Sequence, residues 1–214
     1  MWPVAPDLDE GELDAWDATE LANGFELEDV RLDGAQLGAV RASGGRIARG
    51  VLLNPALAAA RLRSLTLIDV VVREGDFANA DLTGARLKRV VFDRVRMTGV
   101  TLAEIEAEDV AFRGCRLDLA SLRAAKIGRV AFEDCVLDEA DLYGATLRHV
   151  RFSGSQLRRL ELEHAQLLGV DLRTSELEDP RGELRGTIID SVQLAGLARS
   201  LAARLGIKVD DGGY

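Results

Sequence analysis

The sequence predicts an all-β solenoid, a four-sided column of about eight 20-residue coils with a C-terminal α-helix that caps it. Two observations predict this fold. A large apolar residue returns at every fifth position through most of the 214-residue chain, and phenylalanine returns at every twentieth position. Fixed self-similarity is typical of repeat architectures, in which stacked units bury a shared core.

The five-residue period runs from residue 27 to residue 177 and has no polar residue at any of its 31 positions. The stretch FEDCVLDEADLYGATLRHVRF illustrates it with Phe132, Leu137, Leu142, Leu147 and Phe152. An α-helix turns by about 100° per residue, so a step of five would spread these residues around its axis. A flat strand would place successive members on opposite faces, because five is odd. A chain that turns a corner every five residues keeps them all on one interior line.

The number of sides per coil follows from the aromatic residues. Four phenylalanines lie 20 residues apart, so four sides of five residues complete one coil, and equivalent residues of stacked coils lie about 4.8 Å apart. The predicted core ladder consists of Phe92, Phe112, Phe132 and Phe152.

Two stretches, ADLTGARL (80–87) and ADLYGATL (140–147), resemble the A(D/N)LXX motif of the pentapeptide-repeat protein family. The resemblance implies a right-handed quadrilateral β-helix. We therefore expect an acidic N-terminal segment or cap over residues 1–24, the β-helix over 25–179 and a C-terminal cap over 180–214.

The C-terminal cap contains a predicted helix at about residues 191–205, with Asp190 or Ser191 as its N-cap. Its apolar face consists of Leu194, Leu197, Leu201 and Leu205. This face either folds over the last coil or forms a homodimer contact, and both can hold. The resemblance supports the second reading, because C-terminal elements join subunits in some members of the family.

The net charge of −9 is unevenly distributed, because residues 1–30 contain ten acids and no Lys or Arg. That segment carries −10 and the remaining chain carries +1. The acidic segment is expected to form a short capping helix or a mobile tail, and its composition favours a tail for residues 1–10.

The outward positions carry two patterns. Along one face the coils read RLKR (86–89), EAED (106–109) and KIGR (126–129), which predicts charge complementarity between neighbouring coils. On the next face an apolar series should point outward. It reads as a solvent-facing contact strip or as scattered surface residues, and comprises Val51, Val71, Val91, Ala111 and Ala131.

No catalytic, metal or cofactor site is predicted. His149 and His164 project from different corners and are expected at the surface, whereas Cys115 and Cys135 are expected as buried free thiols. The sequence lacks a Gly-rich phosphate loop, an HExxH motif and a GxSxG motif. A convex column also offers no deep pocket for a substrate.

No stretch is long and apolar enough to span a membrane, and no signal peptide is recognisable, so the expected location is the cytoplasm. Arg outnumbers Lys by 24 to 3, which indicates GC-rich coding and a bacterial source. The expected function is a non-enzymatic interaction or scaffold module with an unknown protein partner and no direct binding to nucleic acid or membrane. The alternative, implied by the resemblance, is a DNA-mimicking modulator of DNA gyrase or topoisomerase of the quinolone-resistance type. The nearly neutral column disfavours this alternative, because mimicry needs a run of acids.

Overall fold

The computed structural model describes residues 3–16 and 21–209. Within them a short 3-10 helix, Glu10–Glu12, precedes the strands, and one α-helix, α1 (Ser191–Arg204), follows them. The strands are β1 (Asp14–Ala15), β2 (Glu26–Asp33), β3 (Arg41–Ser43), β4 (Arg46–Leu53), β5 (Arg61–Arg63), β6 (Thr66–Arg73), β7 (Arg86–Asp93), β8 (Glu106–Arg113), β9 (Lys126–Glu133), β10 (Thr146–Ser153), β11 (Gln156–Arg158), β12 (Glu161–Leu162), β13 (Gln166–Leu168), β14 (Val170–Asp171), β15 (Glu176–Glu178), β16 (Arg181–Gly182) and β17 (Thr187–Ile188).

Each eight-residue strand covers two sides of a coil and bends at its fourth residue. In β7 that residue is Arg89, whose φ of 51° lies in the left-handed region, and the same holds for Asp109 in β8 and Arg129 in β9. Because the backbone turns there, the residues on either side, such as Leu87 and Val90, both point inward and are buried. The parallel pairing of successive strands repeats at 20 residues.

The predicted phenylalanine ladder lies in a single file along the axis. The rings of Phe92, Phe112, Phe132 and Phe152 are parallel, with centroids 5.0, 4.8 and 4.8 Å apart and interplanar angles of 4–5°. All four side chains are buried. The spacing between rings follows from the strand spacing, because each ring pairs in register with the ring one coil away.

The all-β solenoid predicted from the sequence is confirmed, and it has about nine turns where about eight were predicted. The ladder continues at both ends through pairs that do not keep the 20-residue register. Asp14 pairs with Val30, and Val170 pairs with Thr187. A search for the five-residue period could not find these end pairs, because Asp14 and Thr187 do not follow it.

The preference for a mobile tail over residues 1–10 is wrong for the residues that the structure describes. Residues 3–12 run along the outside of the column, with the Asp7 N–H donating to Asp69 and Glu10 paired with Arg73. Acid-rich composition disfavours burial, but this segment uses its backbone and one carboxylate to contact the column without being buried. Residues 1 and 2 of the predicted tail lie outside the described residues.

Helix α1 begins with a capping box, in which Asp190 accepts from the Gln193 N–H and the Gln193 side chain accepts from the Asp190 N–H. The Gln193 amide group also donates to the carbonyl oxygens of Leu172 and Ser175, at 2.6 and 2.8 Å. Leu197 is buried against the core. The helix is therefore attached to the last coils through the buried amide of Gln193 and through apolar packing of Leu197 and Leu201.

Candidate interaction surface

One corner of the column carries a file of alternating charges. The residues at the bends of successive long strands all have positive φ and are Asp29, Arg49, Asp69, Arg89, Asp109, Arg129 and His149. Because neighbouring coils are in register, each Asp in this file lies directly below the Arg of the next coil. The file is therefore built for ion pairs parallel to the column axis.

Each aspartate of the file accepts two hydrogen bonds from the arginine one coil above. The Nε–Oδ1 distances are 2.6 Å for Arg49 and Asp29, 2.6 Å for Arg89 and Asp69, and 2.8 Å for Arg129 and Asp109. Bidentate Arg–carboxylate geometry is the strong form of this contact. We call these three contacts the corner pairs.

The corner pairs differ in their exposure. The Asp29 side chain is 46% exposed, whereas those of Asp69 and Asp109 are 9% and 7% exposed. The hydrogen bond from Arg89 holds the pKa of Asp69 below its usual value, and the hydrogen bond from Arg129 does the same for the pKa of Asp109. Both carboxylates are therefore charged acceptors over the physiological pH range.

The difference in exposure is explained by residues 3–12, which we call the N-terminal strap. The Val4 N–H donates to Asp109 at 3.2 Å, and the Asp7 N–H donates to Asp69 at 2.9 Å. Further along the strap, Glu10 forms a two-point ion pair with Arg73, at 2.6 and 3.1 Å. The strap therefore runs along the column axis, across at least two coils.

The spacing of these contacts matches an extended chain. Val4 and Asp7 are three residues apart, which is about 10 Å in an extended segment. Asp109 and Asp69 are two coils apart, and two strand spacings are also about 10 Å. An extended strap can therefore donate to both carboxylates without a bend, because its donors and the aspartates have the same spacing.

The apolar series expected to face solvent lies beside the strap. Val51, Ala111 and Ala131 are buried, and Val71 and Val91 are half-buried, so the expectation of a solvent-facing strip is wrong. These side chains do point away from the axis, but Pro3, Val4, Ala5 and Pro6 lie over part of the series. We call Val71, Val91, Ala111 and Ala131 the apolar strip.

A cleft of about 470 Å³ lies between the strap and the apolar strip. Its rim carries charged side chains of alternating sign, namely Arg73, Asp93, Arg113 and Glu133. Arg113 is paired with Glu133 across one coil, at 3.1 Å. The strap therefore covers the strip without filling the space beside it.

A second, open groove of about 560 Å³ lies on the neighbouring face. It is lined by Thr66, Ile68 and the residues at equivalent positions of the following coils. Its charges pair between coils: Lys126 lies 3.0 Å and Arg86 3.6 Å from Glu106. The predicted charge complementarity between coils on this face is confirmed. Because the signs cancel locally, the groove carries no single-sign run of charge.

The structure separates the four leucines predicted as one face of the terminal helix. Leu197 is buried and Leu201 is half-buried, and both pack against the core. Leu194 and Leu205 are 52% and 77% exposed. The helix thus contacts the column through two of the four leucines and presents the other two to solvent.

The predicted surface histidines do not come together. His149 and His164 are both exposed, and His164 lies edge-on to the Tyr143 ring at 5.0 Å. Cys115 and Cys135 are buried free thiols that stack on adjacent coils. The contact with Cys115 raises the pKa of the Cys135 thiol, and burial raises it further.

Across residues 3–16 and 21–209, no group of three or more His, Cys, Asp or Glu side chains is arranged to hold a metal ion. Within the same ranges, none of the helices has both the length and the apolar character needed to cross a bilayer.

The predicted charge complementarity covered stretches that contain Arg89, Asp109 and Arg129, but sequence reasoning did not single out the corner pairs as one file, and it missed the strap. The pairs had a readable signal, since Asp and Arg alternate at positions 29, 49, 69, 89, 109 and 129. The strap had none, because its contacts with the corner are made by backbone N–H groups, which every residue except proline carries.

Comparisons with known proteins agree on the fold. A family model described as a pentapeptide repeat region matches residues 85–167, and one described as pentapeptide repeats (8 copies) matches residues 60–105. Together the two matches span half of the chain, and this chain belongs to the pentapeptide-repeat family. No curated protein sequence matches the chain.

Several solved structures are similar to this one, including those of QnrB1 and HetL. A trypsin-treated variant of QnrB1, a plasmid-mediated fluoroquinolone resistance protein, has a TM-score of 0.59 at 18% identity, over 92% of this chain and 99% of QnrB1. HetL, involved in heterocyst differentiation regulation in the cyanobacterium Nostoc sp. strain PCC 7120, has a TM-score of 0.56 at 21% identity, over 79% and 91% of the two chains. At these identities the similarity establishes the fold alone.

Proposed function

We propose that this chain is a non-enzymatic interaction or scaffold module, which presents the rigid outer faces of its column to a partner protein. The observation that carries this proposal is the corner of Asp69 and Asp109, where the column already holds an extended segment through backbone hydrogen bonds. Recognition of an extended segment through main-chain contacts is a recurring mode of peptide binding. Pentapeptide-repeat proteins are generally structural or interaction modules, which supports the absence of catalysis.

Capture from the native host tests the proposal. The full chain is immobilised beside its Phe132→Asp variant, which we expect to be unfolded and which controls for binding to an unfolded chain. A protein retained by the native column alone, and bound again as a purified component at stoichiometric amounts, is the expected result. Retention of the same proteins by both columns would contradict the proposal.

The second candidate is modulation of DNA gyrase or topoisomerase by DNA mimicry, which the fold similarity to the resistance protein QnrB1 favours. Mimicry needs an unbroken run of negative charge. Here the corner file alternates Asp with Arg, and the neighbouring groove pairs Lys126 and Arg86 with Glu106. We therefore rank this candidate below the interaction module.

A supercoiling assay separates the two candidates. We expect that stoichiometric protein neither binds purified gyrase nor protects it from a quinolone. Protection at a one-to-one ratio would reverse the ranking.

We further propose that the chain forms a homodimer through the outer side of α1. Leu194, Leu205 and the following Ile207 are more than half exposed, and they extend one apolar surface beyond the contacts of Leu197. Light scattering of the full chain and of its Leu194→Asp variant tests this. A dimer for the first and a monomer for the second is expected, and equal masses would contradict it.

We also propose a cytoplasmic location, which two buried free thiols on adjacent coils support, because free thiols suit a reducing compartment.

A further inference from the structure

We propose that the apolar strip and the carboxylates of Asp69 and Asp109 form a docking surface for an extended segment of a partner protein, with the N-terminal strap as its displaceable resident. This inference rests on the proposed function as an interaction module and names the surface that the module uses. The partner segment repeats the chemistry of the strap. It has small apolar residues, backbone N–H donors three residues apart, and a carboxylate three residues beyond the second donor.

The column does not depend on the strap for its own hydrogen bonds. The strands under the strap, β6 to β9, pair with each other in an unbroken 20-residue register. When the strap leaves, Asp69 keeps Arg89 and Asp109 keeps Arg129 as partners. Release therefore leaves neither carboxylate as an unpaired buried charge, which would otherwise oppose opening.

The strap itself is held by few contacts. It joins no strand ladder along residues 3–12, and its ion pair between Glu10 and Arg73 is more than one third exposed on both sides. Val4 remains 55% exposed although its N–H is bonded to Asp109. Segments with few buried apolar contacts open locally without global unfolding.

The surface left by the strap has a defined specificity. The two aspartates select an extended backbone with donors about 10 Å apart, which excludes a helical segment. The apolar strip and its cleft accept small side chains such as those of Val4, Ala5 and Pro6. Arg73, which binds Glu10 in the closed form, selects a carboxylate beyond the second donor.

A cysteine placed under the strap reports its release in the full chain. Ala111 is 6% exposed and lies on the apolar strip, two residues after Asp109, so Ala111→Cys is the reporter variant. The native cysteines, each about 1% exposed, set the background of the thiol reaction. Far-ultraviolet circular dichroism and the melting temperature confirm that each variant keeps its column.

The strap is then released by removing its donors. In the reporter variant, Val4→Pro combined with Asp7→Pro deletes both N–H groups, because proline carries none. We expect the rate of thiol modification to rise about tenfold or more, as local opening becomes the dominant state. Asp7→Asn is the matched control, since it removes the charge and keeps the N–H, and it should leave the rate within about twofold of the reporter.

A synthetic peptide with the sequence of residues 3–12 tests docking directly. Added to the double-proline reporter, it should return the thiol rate towards that of the closed form, whereas a peptide of scrambled sequence should not. An equal rate with and without the proline changes would overturn the proposal, because the strap would not be the cover. A folded double-proline variant that the peptide fails to protect would overturn it as well.

Light scattering decides whether a second copy is the occupant. A dimer of the full chain that the peptide dissociates would show exchange of straps between copies, and would overturn the assignment to a separate partner. A mass unchanged by the peptide supports that assignment. The thiol assay tests the docking surface, and the capture from the host tests the interaction module. A negative result in one of them does not decide the other.

Discussion

The middle coils are held together by contacts that repeat from coil to coil, whereas the N-terminal strap is attached by a few contacts. In the middle coils each contact is repeated one coil away, as in the stacked rings of Phe112 and Phe132, 4.8 Å apart, and every strand is paired on both edges. The polar contacts of the strap with the column are two backbone hydrogen bonds and one exposed ion pair, and no strand pairing adds to them along residues 3–12. Repetition gives the column redundancy, whereas the strap has a small number of contacts that a competitor can replace.

The largest expected effect comes from charging the axis of the column. Phe132→Asp should abolish the cooperative native fold, because it places an unpaired carboxylate among rings that are about 1% exposed. Circular dichroism and thermal melting measure the result. Phe132→Leu is the control, and should cost about 1 kcal/mol, because leucine occupies equivalent central positions in other coils. Native dichroism and an unchanged melting temperature for Phe132→Asp would show that the middle coils are not held by their axis.

The sequence predicted the contacts of the middle coils but not those of the strap, because the two kinds of contact differ. Phe132 could be placed because its neighbours recur at 20 residues, so one coil predicts the next. The contact of Val4 with Asp109 joins residues 105 apart, and Val4 contributes only a backbone N–H to it. No side-chain pattern in the strap encodes that contact.

The terminal helix lies between these extremes. Its capping residue Asp190 and its buried Leu197 were both among the predicted residues. Gln193 was not, because a glutamine is usually exposed. Here its buried side chain closes the capping box with Asp190 and also donates to the carbonyls of Leu172 and Ser175.

The next largest effect tests whether α1 is packed into the core of the column or is attached to its surface as loosely as the strap. Leu197→Ala should lower the free energy of unfolding by about 2–4 kcal/mol, because Leu197 is 2% exposed against the core. Val192→Ala, at a position 79% exposed on the same helix and outside the proposed dimer contacts, should change it by less than about 0.5 kcal/mol. Urea denaturation of the two variants measures the difference. Equal effects would place α1 with the strap, as a loosely attached element.

A smaller effect is expected where two coils touch without side chains between them. A Cβ on Gly75 would lie 2.8 Å from the Pro55 ring, so Gly75→Ala should destabilise the column by about 1–3 kcal/mol. The ladder is intact on either side, with Ala56 donating to Ala35 and Asp76 donating to Pro55. The ring of Pro55 therefore fits in this coil because Gly75, one coil above, has no side chain.

Gly128→Ala is the matched control for that change, because a Cβ there meets no atom within 4 Å. It should be neutral or stabilising by up to about 1 kcal/mol, since glycine weakens a strand interior. Thermal melting of both variants gives the comparison. A loss of stability for Gly128→Ala as large as that for Gly75→Ala would remove Pro55 as the cause.

The smallest effect concerns acid, and it separates the covered corner pairs from the exposed one. The hydrogen bond from Arg89 holds the pKa of Asp69 below its usual value, and the hydrogen bond from Arg49 does the same for the pKa of Asp29. A carboxylate whose pKa is lowered by folding contributes stability that is complete above its unfolded pKa, about 3.9, and is lost as the pH falls through the folded value. Asp69→Asn should therefore destabilise the protein at pH 7, and its difference from wild type should vanish as the pH falls below the folded pKa of Asp69.

Asp29→Asn is the control for the acid prediction, because it removes an equivalent pair that no strap residue covers. Its cost at pH 7 should be the smaller of the two, since the Asp29 side chain is 46% exposed and its pair is screened by solvent, whereas that of Asp69 is 9% exposed. Urea midpoints measured in steps from pH 7 to about pH 2 give both differences on one scale. A penalty for Asp69→Asn that persists at the acid end would assign it to altered packing instead of charge, and equal penalties at pH 7 would mean that the strap adds nothing to its corner pair.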